Sequence, residues 1–281
     1  MKTTFNSHLI DVNGIKMHYI EYKNDKPKIL LMHGLTANAH AFEGLIRAGL
    51  TDHFHVFSID FRGRGLSSKV AFKYSIKNHG EDVIAMLDHL NIESIILCGH
   101  SFGGLMATYL AYHYPKRISE VIILDAAPEM NPNAAQMLGP ALSRIDNRFV
   151  NFEAYLETVK NAPYNNIWDD AMTVYYKSDV ATAEDGSVEP ISNLTDIIQI
   201  ATAVSKENWT LYFTALNQRA LLIVALDNYT LNQPLLPCSK AKKIVTQMKH
   251  VSYIEVNGNH QTMLYGHYAT KLVQFICNFI F

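Results

Sequence analysis

A serine in the first half of the chain lies in a pentapeptide that can present its hydroxyl for chemistry. Ser101 is the central residue of Gly-His-Ser-Phe-Gly at 99–103, which fits the pattern G-x-S-x-G. Four apolar residues at 95–98 are short enough for a buried strand, and an apolar helical pattern follows the pentapeptide. A sharp turn between a strand and a helix lifts a serine above the sheet edge, and only small residues fit beside it. We therefore predict that Ser101 is a nucleophile; the alternative is a structural serine at a helix start.

A serine nucleophile needs a histidine, and the chain offers thirteen. The hydroxyl is barely nucleophilic at neutral pH, so a base must accept its proton and an acid must orient that base. His260 directly follows the last predicted strand, on a loop rich in glycine and asparagine. We predict that His260 is the base. His100 adjoins the nucleophile but is expected to point away from it, and His33 is expected to shape its own turn.

Short apolar stretches that alternate with helical patterns must position these residues. A β-hairpin is predicted around Asn13-Gly14, and a well-defined helix is predicted over 75–90, with a weaker one over 38–49. Strands are predicted at 28–32, 56–59, 95–98, 121–124, 220–225 and 252–256. Alternation of this kind indicates a parallel sheet that is covered on both faces by helices.

The alternation of strands and helices stops between about residues 128 and 218. This stretch is rich in aromatic residues and helical patterns and contains no convincing buried strand. Residues 184–190 are predicted to form an exposed loop. We interpret the stretch as an insertion of helices and not as a second α/β domain.

Taken together, these motifs resemble the α/β-hydrolase superfamily. In chain order they are His33-Gly34, Asp60-x-Arg62-Gly63-x-Gly65, Gly99-x-Ser101-x-Gly103, Asp125 and Gly258-Asn259-His260. The resemblance covers essentially the whole chain and implies an α/β-hydrolase fold with a mostly parallel central sheet of about eight strands. It also implies a core formed by residues 1–127 and 219–281. Residues 128–218 take the place of the variable helical cap that roofs the active site.

The acid that orients His260 has two candidates, because members of the superfamily place it after either the sixth or the seventh core strand. Asp125 ends the first of these strands. After the second, where the family has G-x-x-D, the chain reads Ala-Leu-Asp-Asn at 225–228, so Asp227 comes one residue early. An asparagine cannot carry the charge that stabilises an imidazolium. We favour Asp125 over Asp227; the alternative for Asp125 is a structural cap or loop hydrogen bond.

The resemblance also implies an oxyanion hole and a pocket. Two backbone N–H groups are expected to form the oxyanion hole, those of Leu35 and Phe102. The pocket is expected to be apolar and could be lined by aromatic residues of the cap and a methionine near His260. These pocket candidates, each of which could instead belong to the core, are Tyr164, Trp168, Tyr175, Tyr176 and Met263.

Composition argues against several classes of function. A net charge of −2 and a pI near 6.7 give no electrostatic case for binding nucleic acid or an anionic membrane. The three cysteines are scattered and indicate neither disulfides nor a zinc site. The glycine-rich turn at 60–65 lacks the lysine of a phosphate-binding loop. We therefore expect no cofactor and no metal. The N-terminus lacks a signal-peptide pattern, so a cytoplasmic protein is expected; a homodimer is compatible with the apolar stretches of the cap but not indicated.

These features imply a serine hydrolase, most simply a carboxylesterase that acts on small to medium uncharged esters through an acyl-enzyme. Haloalkane dehalogenases and epoxide hydrolases of this fold are disfavoured, because they carry aspartate at the position of Ser101. A lactonase and a C–C bond hydrolase can use the same residues. A ligand receptor that keeps the triad but turns over slowly is a further alternative, since the fold alone does not decide function.

Overall fold

The computed structural model describes residues 4–70 and 74–281, and its strands form one large sheet and one small hairpin within those residues. The strands are β1 (Asn6–Val12), β2 (Ile15–Tyr22), β3 (Lys28–Met32), β4 (His55–Ile59), β5 (Ile95–His100), β6 (Ile118–Leu124), β7 (Val180–Thr182), β8 (Val188–Pro190), β9 (Arg219–Ala225) and β10 (Val251–Val256). β7 and β8 form the hairpin, and the other strands form the sheet.

The central sheet has eight strands in the order β1-β2-β4-β3-β5-β6-β9-β10 across the described residues. β2 pairs antiparallel with both β1 and β4. From β4 to β10, every pair of neighbouring strands in this order is parallel. The inner parallel strands β3, β5 and β9 are nearly continuous runs of buried residues, as expected where a sheet is covered on both faces. The mostly parallel sheet of about eight strands is thereby confirmed.

Helices cover both faces of this sheet. They are α1 (Glu43–Arg47), α2 (Ile76–His89), α3 (Phe102–His113), α4 (Ala134–Met137), α5 (Gly139–Leu142), α6 (Phe152–Lys160), α7 (Asp170–Lys177), α8 (Leu194–Val204), α9 (Trp209–Thr214), α10 (Cys238–Val245) and α11 (Gly266–Ile280). Leu30 of β3 packs in the apolar cluster that contains α2 and α3. Its neighbour Leu31 packs in the cluster that contains α1 and α11. The alternation of side chains along a strand therefore supplies two cores, one on each face.

Two predicted helices have different outcomes. The helix expected over 75–90 is confirmed as α2. The helix expected over 38–49 is broken into a 3₁₀ turn at Ala39–Phe42 and the short α1. Gly49 ends this region at a φ of 93°, in the left-handed range that stops a helix and suits glycine.

The segment between β6 and β9, which we call the insertion (residues 125–218), contains α4 to α9 and the β7–β8 hairpin. The expectation that residues 184–190 form an exposed loop was wrong for its last part. Val188 is buried and pairs with Thr182, and its carbonyl accepts a hydrogen bond from the N–H of Phe149. Asp185-Gly186 closes the hairpin with Gly186 at a φ of 82°, a turn sequence that favours hairpins.

Over residues 4–70 and 74–281, no helix is both long enough and apolar enough to cross a bilayer.

Candidate active site

The turn between β5 and α3 holds Ser101 in a strained conformation. Ser101 has a φ of 53° and a ψ of −118°, which side-chain-bearing residues rarely adopt. The turn is tight enough that a Cβ at Gly99 would lie 2.0 Å from the carbonyl oxygen of Gly103. A Cβ at Gly103 would lie 1.9 Å from the carbonyl oxygen of Met32 in the neighbouring strand. The two glycines of the pentapeptide are therefore required by the close approach of backbone to backbone.

A buried carboxylate and an imidazole meet beside this turn. Asp125 directly follows β6, and its Oδ2 lies 2.6 Å from Nδ1 of His260. Its other oxygen, Oδ1, accepts a hydrogen bond of 2.9 Å from the N–H of Ala225. Since a carboxylate can only accept, the proton of the imidazole lies on Nδ1, which leaves Nε2 free to accept one. Asp125 and His260 are 1% and 5% exposed, so water competes little for this bond.

The alternative acid has a different partner. Asp227 accepts a hydrogen bond of 3.0 Å from the N–H of Gly258, and its own N–H donates to the Gly258 carbonyl at 3.0 Å. These bonds brace the loop that carries His260. The structure thus brings Asp125, and not Asp227, to the imidazole.

Ser101 and His260 both border one cavity. Among the described residues, the hydroxyl of Ser101 makes no hydrogen bond, so its bond to Nε2 of His260 would have to form when a substrate is present. Such bonds are commonly long or misaligned without substrate and tighten in the complex.

The two other histidines near Ser101 serve the backbone. Nε2 of His100 donates to the carbonyl of His260 at 2.8 Å. Burial, helped by the neighbouring His260, holds the pKa of His100 well below its usual value, so its ring stays neutral. Nδ1 of His33 donates to the Gly34 carbonyl at 2.7 Å, and its Nε2 accepts the N–H of Phe61 at 3.1 Å. Burial lowers the pKa of His33 to about 4, which keeps this pair of bonds intact at neutral pH.

The loop after β3 is held by its carbonyl groups. The Gly34 carbonyl is bound by His33 as described, and the Leu35 carbonyl accepts from Nε of Arg64 at 2.8 Å. The Thr36 carbonyl accepts from Nη2 of Arg144 at 3.1 Å. Three consecutive carbonyls are thus fixed by side chains, which fixes the direction of the peptide N–H groups between them.

The two N–H groups predicted to stabilise an oxyanion are available. Neither the N–H of Leu35 nor that of Phe102 has an acceptor among the described residues, and both residues line the cavity. An unpaired backbone N–H group beside a cavity is a donor for a ligand. Within residues 4–70 and 74–281, no group of three or more potential metal ligands is found.

The cavity has a volume of about 170 Å³ and lies between the carboxyl edge of the sheet and the insertion. Tyr164, Tyr175 and Tyr176 line it, as predicted. The predictions for Trp168 and Met263 were wrong, because neither is among the lining residues. Trp168 stacks on the Tyr176 ring with 5.7 Å between the ring centroids, and Met263 is fully buried in the apolar core.

Of the lining residues that the sequence patterns did not indicate, two matter most here because their side chains are polar. Tyr229 lines the cavity four residues after β9, and its ring meets that of His260 edge to face at 5.4 Å. Its place just beyond a core strand was a usable signal. Arg144 also lines the cavity, from the turn after α5. Nothing in its local sequence distinguishes it from a surface arginine.

The chain matches a known protein family and resembles known proteins in sequence and in fold. A family model described as the alpha/beta hydrolase fold matches residues 27–243. The 2-(acetamidomethylene)succinate hydrolase of Mesorhizobium japonicum is 28% identical over 203 residues, which are 72% of each protein. The 3-oxoadipate enol-lactonase 2 of Acinetobacter baylyi is 38% identical over 122 residues, 43% of this chain and 45% of that protein.

Among solved structures, an E-2-(acetamidomethylene)succinate hydrolase superposes with a TM-score of 0.85 at 23% identity and covers 99% of both chains. At this identity the likeness shows the fold alone. The sequence relatives described above are hydrolases, so hydrolase is the class of activity that the comparisons support.

Proposed function

The chain belongs to the α/β-hydrolase family, and from this we propose that it is a serine hydrolase that cleaves carboxylic esters through an acyl-enzyme. The observation that carries the proposal is the 2.6 Å bond between His260 and Asp125, beside Ser101 and at the wall of one cavity. We also propose that residues 128–218 act as the cap over this cavity.

In the proposed reaction, Oγ of Ser101 attacks the substrate carbonyl while Nε2 of His260 accepts its proton. Asp125 stabilises the imidazolium that forms. The N–H groups of Leu35 and Phe102 donate to the oxygen that becomes negatively charged, an interaction worth about 10²–10³ in rate for a single donor. His260 then protonates the leaving alcohol, and water releases the acyl group by the same steps in reverse.

A lactonase is the second candidate, favoured by the relative from Acinetobacter baylyi that is named as an enol-lactonase. A lactone is an internal ester, so the same three residues would open it. The two candidates differ only in whether the leaving alcohol remains attached to the acyl group.

The test is a panel of aryl esters of increasing acyl length, together with a simple lactone, on the wild-type chain and the Ser101→Ala variant. We expect sustained turnover of the short and medium esters by the wild type and none by the variant, with nearly equal thermal midpoints for both. Preference for the lactone would favour the second candidate. A single burst of product without turnover would contradict the proposal and favour a receptor, and activity retained by the variant would remove Ser101 as the nucleophile.

A further inference from the structure

The cavity has one fixed positive charge on its wall. Among the described residues that line it, Arg144 is the one lysine or arginine, and none is aspartate or glutamate. Arg144 is 4% exposed. Burial is the largest effect and lowers the pKa of Arg144, but Asp179 and the neighbouring tyrosines together outweigh burial and hold that pKa well above its usual value. The cavity wall therefore carries a guanidinium that stays charged.

The guanidinium of Arg144 is only partly used by the protein. Its Nε donates to Asp179 at 3.1 Å, with the Tyr155 hydroxyl 3.2 Å away. Nη1 donates to the carbonyl of Ala141, and Nη2 donates to that of Thr36. A guanidinium has five N–H groups, so two of them, one on each Nη, have no acceptor among the described residues. Both are available to a ligand.

Three tyrosine hydroxyls on the same cavity are also without partners. Tyr164, Tyr175 and Tyr229 are 2%, 3% and 4% exposed and line the cavity, yet their hydroxyls make no hydrogen bond within the described residues. They differ from the hydroxyl of Tyr265, which is sealed in the core. Burial raises the pKa of Tyr175 and of Tyr229, so both keep their protons and can donate. Buried polar groups normally have partners, which makes these three exceptions informative.

Two of these tyrosines lie near the proposed triad. Tyr229 contacts the ring of His260 at 5.4 Å, and Tyr164 stacks on Tyr229 at 5.4 Å. Tyr229 is therefore directly beside His260. Because Arg144, the three tyrosines, Ser101 and His260 all line one cavity, a single small molecule can contact both the donors and the proposed triad. A cavity of about 150 Å³ accommodates a benzene molecule, so this cavity of about 170 Å³ fits a short acyl chain, and because it is partly open to solvent the leaving group can extend outside it.

We propose that the substrate carries a free carboxylate, bound by the two unused N–H groups of Arg144 and by the hydroxyls of Tyr164, Tyr175 and Tyr229. Arginine can only donate, so its ligand must be an acceptor, and a carboxylate accepts from both Nη atoms at once. This rests on the proposed function and replaces the expectation of an uncharged substrate, which took the cavity to be lined by apolar aromatic faces. The substrate class is a monoester or lactone of a short dicarboxylic acid.

The first test compares two aryl esters of equal chain length at pH 7.5, the mono-aryl ester of glutaric acid and the neutral aryl ester of pentanoic acid. We expect kcat/KM to be at least about ten-fold higher for the glutarate ester, since hydrogen bonds to a charged group are among the stronger ones. Free glutarate should inhibit hydrolysis of the neutral ester competitively. Equal or lower kcat/KM for the glutarate ester, together with no inhibition by glutarate, would overturn the proposal.

The second test uses variants that separate recognition from folding. Arg144→Lys keeps a cation beside Asp179 but loses the bidentate donor. The double variant Tyr175→Phe, Tyr229→Phe removes two hydroxyls while keeping both rings. Each should lower the preference for the glutarate ester by about ten-fold or more, with a smaller effect on the neutral ester. Tyr265→Phe is the matched control, because it removes a partnerless hydroxyl that does not border the cavity. An unchanged preference in the first two variants would overturn the proposal.

A binding measurement distinguishes failure of the inference from failure of the proposed function. Glutarate should raise the thermal midpoint of the Ser101→Ala variant, and the shift should be lost when Arg144→Lys is added. If neither ester is hydrolysed but this shift is seen, the carboxylate site stands and the esterase proposal fails. If the neutral ester is hydrolysed but glutarate gives no shift, the esterase proposal stands and the carboxylate site fails.

Discussion

At the scale of single residues, the two candidates for the acid, Asp125 and Asp227, are distinguished by the hydrogen bonds that they make. Asp125 uses one oxygen for the N–H of Ala225 and the other for the imidazole, so the backbone holds the carboxylate in line with the ring. Asp227 is committed to Gly258. Asp125 has a φ of 51°, a conformation that aspartate and asparagine tolerate better than most residues.

This arrangement predicts opposite results for two matched variants. In Asp125→Asn, the amide oxygen can still accept from Ala225, but the amide nitrogen would face Nδ1 of His260 and move the ring proton to Nε2. We expect kcat to fall by about 10⁴ with little loss of stability, as for the wrong tautomer in enzymes that use a Ser-His-Asp triad. Asp227→Asn should retain most activity. Steady-state kinetics on one aryl ester would decide, and a large loss only in Asp227→Asn would transfer the role of the acid.

Sequence reasoning reached some site residues and not others for a physical reason. Ser101, His260 and Asp125 each lie at the carboxyl end of a predicted strand, where a parallel sheet gathers its loops on one edge. Arg144 lies in the insertion, and its place on the cavity depends on how α5 and the loop after β3 meet. That meeting is a tertiary contact with no local pattern in the sequence.

At the scale of elements, the turn that carries Ser101 is formed by the close packing of β3, β5 and the first turn of α3. The positions of Gly99 and Gly103 leave no room for a side chain, because backbone atoms stand where Cβ atoms would be. Gly104 is less crowded, with its nearest atom, the carbonyl oxygen of Gly99, at 3.0 Å from an added Cβ.

Adjacent glycines in one helix therefore predict a graded pair of variants. Gly103→Ala should lower the free energy of unfolding by about 3 kcal/mol or more, since the strand carbonyl cannot move out of the way as a side chain could. Gly104→Ala should cost about 1 kcal/mol or less, because a small shift suffices and alanine favours the helix. Urea unfolding measures both. Equal costs would contradict the packing that holds Ser101 in place.

Prediction of the elements from sequence succeeded where periodicity was strong. Ile76–His89 has a clear apolar face and was found, whereas the stretch near Gly49 was assigned a longer helix than it forms. Val188–Pro190 was missed because three residues give no measurable alternation. The Asp185-Gly186 turn carried the signal that was overlooked.

At the scale of the whole molecule, the insertion shares its apolar packing with the sheet. Tyr155 and Tyr175 of the insertion belong to the cluster that contains Leu31 of β3. Phe213 of the insertion belongs to the opposite cluster, which contains Leu30. Both faces of the core therefore extend into the insertion.

Such continuity predicts that the insertion does not unfold before the sheet. The two tryptophans of the chain, Trp168 and Trp209, both lie in the insertion, so their fluorescence reports on it, while far-UV circular dichroism reports on all helices and strands. In urea we expect both signals to give the same midpoint. A fluorescence midpoint at clearly lower urea would show an independently unfolding insertion and contradict shared packing.

The sheet and its cover could be foreseen from the alternation of strands and helices, but the size and polarity of the cavity could not. A cavity is the space left by elements whose mutual distances no local pattern encodes. Tyr164, Tyr175 and Tyr229 come from three separate places in the chain, and only the folded arrangement leaves their hydroxyls unpaired around one space.

Arg144 contacts the loop that contains Leu35, because its Nη2 donates a hydrogen bond to the carbonyl of the next residue, Thr36. If the substrate carboxylate binds Arg144 as proposed, its binding would also restrain this loop, and with it the Leu35 N–H that donates to the scissile carbonyl. Substrates with and without the carboxylate should then differ more in turnover number than in half-saturation concentration. The reason is that the binding energy of the carboxylate would stabilise the transition state more than the bound ground state. A difference confined to the half-saturation concentration would mean that the carboxylate contributes to substrate binding but not to the rate of the chemical step.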